Sequence, residues 1–151
     1  MKSWWQRFWP RIVAFLLAVV ATTAAASLAH SLFVQAALRE VGAVIPFGPA
    51  LGAIIRDFFG LLPTLGPVVA LALLIAFLVA GWLKPMMRPL APFAYPLAGW
   101  AGMALALLLM HAVYGFSPLA GARTALGFLA ISLSGVVGGI VFTLLRKRRL
   151  F

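Results

Sequence analysis

From Ile12 to Leu38 the chain carries no charged side chain. A hydrocarbon core about 30 Å thick is crossed by about 20 apolar residues in a helix rising about 1.5 Å per residue. The stretch is long enough to cross with some tilt. Arg11 closes its front and Arg39 its back. Everything that follows has to fold in the same solvent. The composition agrees: 65% of the 151 residues are hydrophobic and 9% are charged, whereas soluble domains carry about 25% charged residues.

The net charge of +10 would point to nucleic acid in a soluble domain. Here the cations lie between apolar runs, so no basic face of a soluble fold exists. The sequence therefore argues against a nucleic-acid partner and for membrane topology and lipid headgroups. There is no cysteine. That excludes disulfides, thiolate metal sites and covalent haem attachment through CxxCH.

The hydropathy predicts a single all-α membrane domain of residues 1–151. Four spans, at about 12–38, 66–83, 97–115 and 124–145, form a bundle. Residues 1–11, MKSWWQRFWPR, read as a basic and aromatic interfacial anchor. A cleaved signal peptide is the alternative, with small residues at Ala24-Ala25-Ala26 or Ser27-Leu28-Ala29. A signal core runs only about 7–15 residues, and this apolar run continues past both sites, which favours a retained helix. Residues 39–65 read as a loop, interrupted by Gly, Pro and charge. Within it Pro49–Phe59 is expected to be a short interfacial helix with proline in its first turn. The second span, VVALALLIAFLVAGWL, is the most uniformly apolar and is expected to be the most lipid-exposed, with Leu73 on its outside. Pro85, Pro89, Pro92 and Pro96 make 84–96 a loop. Residues 146–151 are a basic tail.

Lys2, Arg7, Arg11, Lys84, Arg88 and the run Arg146-Lys147-Arg148-Arg149 fall on one side of this topology; Arg39, Arg56 and Arg123 fall on the other. The positive-inside rule then places both termini and 84–96 in the cytoplasm and 39–65 outside. The Ala-, Leu- and Arg-rich composition fits a bacterial inner membrane.

Three sets of residues stand out. Ser27, His30, Ser31 and Gln35, with Thr23, recur at spacings of three and four, so they share one face of the first helix. Polar groups facing lipid are costly, so this stripe is expected to face other helices. His111 and Tyr114 fall on one face of the third span with Trp100, Ala104 and Leu107. His30 and His111 both lie in the outer half, where each is expected to pack in a polar seam against Ser27, Tyr114 or a backbone carbonyl. They are also the one pair that could ligate a haem b. No other cofactor or metal is indicated. Arg39, Glu40, Arg56, Asp57 and Arg123 gather at the outer boundary as a candidate polar cap, where arginines could clamp a lipid phosphate. Gly127, Gly135, Gly138 and Gly139 form a small-residue seam for close helix packing.

No nucleophile elbow, P-loop or HExxH is present, and no span holds a carboxylate. The reading that follows is a non-enzymatic accessory or assembly subunit acting by helix packing. Its partners are membrane lipids, other membrane subunits or a second copy. A binder or transporter of a lipid-like molecule at the outer cap is the second reading. A b-type haem electron carrier with His30 and His111 as axial ligands is the third.

Overall fold

A computed structural model describes residues 4–86, 88–116 and 119–148. The chain is all-α: α1 Trp4–Glu40, α2 Phe47–Leu83, α3 Ala94–Tyr114 and α4 Ala125–Arg148. All four helices are long and apolar enough to cross a membrane. Short 3-10 turns at Arg88–Leu90 and Ala120–Arg123 lie in the second and third connections.

Each helix packs on its neighbours in the ring α1–α2–α3–α4, and α4 closes back on α1. Neighbours run antiparallel: Phe15 of α1 meets Phe77 late in α2, and Tyr95 at the start of α3 meets Phe142 late in α4. One end of the bundle therefore holds both termini and the α2–α3 connection. The other holds the α1–α2 and α3–α4 turns. Phe77, Tyr95 and Phe142 fill the core at the terminal end, with ring centroids 4.8 to 5.6 Å apart. Gly115 ends α3 at φ 71°, its N–H capping the His111 carbonyl, a left-handed conformation that glycine adopts without strain.

The first connection is far shorter than the sequence suggests. Residues 39–65 are not a loop, because α1 continues to Glu40 and α2 begins at Phe47. The expected short helix at Pro49–Phe59 is the first part of α2, continuous with the span after it. The apparent breakers are accommodated locally. Pro49 sits in the first turn, where its missing N–H has no partner to lose. Pro63 and Pro67 are one turn apart on the exposed side of α2, while Leu65 and Gly66 between them are buried. Packing of that inner side carries the helix through two lost backbone bonds. The other spans extend by a few residues, the third beginning at Ala94 and the fourth ending at Arg148.

Exposure also differs from expectation. Leu73 is 0% exposed, in the core with Val69, Phe77 and Met103. The least enclosed helix is α3, not α2. Hydropathy cannot separate these cases, because a lipid-facing leucine and a core leucine are equally apolar.

Candidate functional site in a polar seam and a helical hairpin

The polar side of α1 faces into the bundle: Thr22, Thr23, Ser27, Ser31 and Gln35 are all buried. Inside a span a hydroxyl needs an acceptor, and the nearest is the carbonyl one turn back. Thr22 donates to the Ala18 carbonyl at 2.8 Å and Thr23 to that of Val19 at 2.9 Å. Further along, the partners lie on other elements. Ser31 donates to Asp57 Oδ2 of α2 at 2.6 Å, and Gln35 Nε2 to the Ala50 carbonyl at 3.1 Å. His30 Nδ1 accepts the backbone N–H of Gly121 at 3.2 Å, which ties α1 to the α3–α4 connection. A Cβ on Gly121 would stand 2.9 Å from His30 Cα, so only glycine permits this approach. Ser27, also in the stripe, has a buried hydroxyl with no hydrogen-bond partner among the described residues.

The Ser31–Asp57 bond yields a direct expectation. Ser31→Ala leaves a half-buried carboxylate without its donor and should destabilise by about 1.5–3 kcal/mol, the range for bonds to charged groups. Asp57→Asn removes the charge that needs the donor. The double change should therefore cost less than the two single costs added together. Thermal unfolding of the four proteins in one detergent measures this cycle, and strict additivity would count against the bond.

The structure does not assemble the five outer charges into one cap. Asp57 turns towards Ser31. Arg56 is exposed, and consecutive helical residues do not face each other. Arg39 and Glu40 are exposed at the end of α1, about 12 Å beyond Ser31 by helix rise. Arg123 instead joins His111 at a cavity of about 260 Å3, lined also by Leu107, Leu119, Thr124 and Phe128. His111 and Tyr114 are exposed, and Tyr114 lies near Phe116. The inward side of α3 is Tyr95, Gly99, Met103 and Leu107, so of the predicted face only Leu107 is buried.

The two histidines stand in different settings. Iron takes the bare nitrogen of a neutral imidazole whose other N–H is held by an acceptor. In His30, Nδ1 accepts an N–H, so the neutral ring carries its proton on Nε2 and has no bare nitrogen to offer. His111 opens on the cavity beside Arg123.

The four glycines of α4 all lie at contacts. A Cβ on Gly135 would strike the Gly99 carbonyl of α3, and one on Gly139 would strike Tyr95 and Pro96. Gly138 sits against Thr22 of α1, with the Ala18 carbonyl 3.0 Å from its Cβ position. Gly127 faces the Gly121 carbonyl. The sequence did not mark their counterparts Gly99 and Gly121.

Beyond the level set by the His30–Gly121 and Ser31–Asp57 bonds, α1 and α2 continue together. From His30 to Glu40, and from Asp57 back to Phe47, the helices run about 15 Å by helix rise. The hairpin between them is residues 41–46. At its tip Val41, Val44 and Phe47 are 80%, 92% and 83% exposed. No family model matches the chain, and no curated protein or solved structure resembles it closely enough to carry an argument.

Proposed function

We propose that this chain is a non-enzymatic subunit of a bacterial inner-membrane complex that docks a partner protein through the α1–α2 hairpin. The observation that carries this reading is the apolar tip. Val41, Val44 and Phe47, with Leu51 and Ile55 along α2, are exposed around the α1–α2 hairpin. At a helical turn in the headgroup layer, where acyl chains do not cover it, apolar surface of this kind supports a docking site. The cation bias supports cytoplasmic termini, and with them a hairpin in the outer headgroup layer and an interfacial position for Pro49–Phe59.

Isolation in mild detergent tests this. The native chain should co-purify with a stoichiometric partner. Val44→Asp and Phe47→Ser should release it while changing stability by less than about 0.5 kcal/mol, as surface substitutions do. A second copy released by the same changes would make the partner the chain itself. A native chain with no bound protein, or a partner retained by both variants, would overturn the reading.

The cavity beside Arg123 favours a second reading, a lipid-like ligand with its polar end at Arg123 and His111 and its apolar part against Leu107 and Phe128. It is distinguished by a co-purified lipid that Arg123→Gln removes and Val44→Asp does not.

A further inference from the structure

At the terminal end, a second cavity opens where α2, α3 and α4 meet. Its volume is about 440 Å3, and Lys84, Tyr95, Thr143, Arg146 and Lys147 line it. The floor is the buried Tyr95 ring, which stacks edge-on against Phe77 and Phe142. Lys84 Nζ lies 5.2 Å from the centroid of that ring and Arg146 Cζ lies 5.5 Å from it. Two cations therefore lie at one aromatic ring, and Arg146 also donates to the Tyr95 hydroxyl. Lys147 adds a third positive charge at the rim.

Such a cluster needs an anion. Like charges held together at a low-dielectric boundary repel strongly, and a ring quadrupole offsets only part of that. The acidic side chains do not supply it. The chain's two acids are Glu40 and Asp57. Glu40 ends α1 at the turn end of the bundle, and Asp57 is bonded to Ser31 there. The Tyr95 hydroxyl accepts from Arg146, which leaves its own hydrogen for an acceptor. A guanidinium, two ammonium groups and a phenol hydrogen at one cavity match the oxygens of a phosphate.

We propose that this cavity binds a phosphate group, supplied by the headgroup of an anionic phospholipid or by free phosphate. Its position favours the lipid: Lys84 caps α2 and Tyr95 lies in the first turn of α3, where apolar helices give way to polar chain. Basic pockets between spans on the cytoplasmic side are where anionic headgroups bind.

The full chain in nanodiscs tests the proposal, with thermal unfolding and native mass spectrometry as readouts. Nanodiscs containing phosphatidylglycerol should stabilise it over pure phosphatidylcholine, with phosphatidylglycerol retained in the mass spectrum. Lys84→Gln and Lys147→Gln should each weaken that retention about fivefold. Arg11→Gln removes a cation from the same end but outside the cavity, and should leave retention unchanged. Inorganic phosphate added in detergent is the other arm: stabilisation that the Lys84→Gln/Lys147→Gln double variant loses identifies free phosphate as the ligand. Equal loss on Arg11→Gln would mean a diffuse surface charge and would overturn the site. So would a double variant that keeps both the lipid and the phosphate responses.

Discussion

Gly135→Leu is expected to abolish the folded bundle. Gly135 of α4 and Gly99 of α3 oppose each other, and a Cβ on either would strike the carbonyl of the other. Met103 Cγ stands 2.8 Å from the same position on Gly135, so the side chain has no second direction to take. The obstacle is backbone, which cannot swing aside as a side chain can. Gly135→Ala alone must push α3 from α4, at about 1–3 kcal/mol, the usual range for overpacking. Leucine adds three further carbons to the same clash. In a membrane the helices are held by close van der Waals contact rather than by hydrophobic transfer, so separating them removes the main attraction. Size-exclusion profiles and thermal unfolding in detergent should show Gly135→Ala as a weakened bundle and Gly135→Leu as none. Gly52 is the control. Nothing lies within 4 Å of its Cβ position, so Gly52→Leu should be neutral or should gain up to about 1 kcal/mol from helix propensity. Equal behaviour of the two leucine variants would refute the contact.

Leu73→Ala carries the next largest expected effect. Leu73 is 0% exposed at the centre of α2, whereas its neighbour Leu74 is 44% exposed towards lipid. In water a buried Leu→Ala change costs about 2–5 kcal/mol, part from transfer and part from the cavity left behind. In lipid the transfer part largely cancels, because the acyl chains are as apolar as the core. The cavity part remains, since lost contacts in a close-packed interior find no replacement. The expected cost is therefore about 2 kcal/mol for Leu73→Ala and near zero for Leu74→Ala. A parallel pair of thermal melts decides it, and similar melting temperatures for both would place Leu73 outside the core.

The class of this protein is legible in its residues. The uncharged run from Ile12 to Leu38 and three further apolar runs leave a helical membrane bundle as the solution, because only helices satisfy their own backbone there. The polar period on α1 was legible too, since Thr23, Ser27, Ser31 and Gln35 can avoid lipid only by facing inward, and all four are buried. The tertiary structure alone decided where α2 begins. Proline and glycine between 46 and 67 read as breakers, yet a helix tolerates them when one side is packed and the freed carbonyls lie on the other. It alone decided which leucines form the core, because apolarity in a membrane does not distinguish a neighbour helix from lipid. It also separated charges that the sequence placed together. Arg56 and Asp57 are adjacent in the chain, but the turn of a helix points them apart, and Asp57 reaches Ser31 across the bundle instead. Tyr95, Arg146 and Lys84 are distant in the sequence and showed no common pattern. The antiparallel ring of helices brings Lys84 and Arg146 to the Tyr95 ring, and no periodicity within a single helix could have revealed a cluster that three helices build.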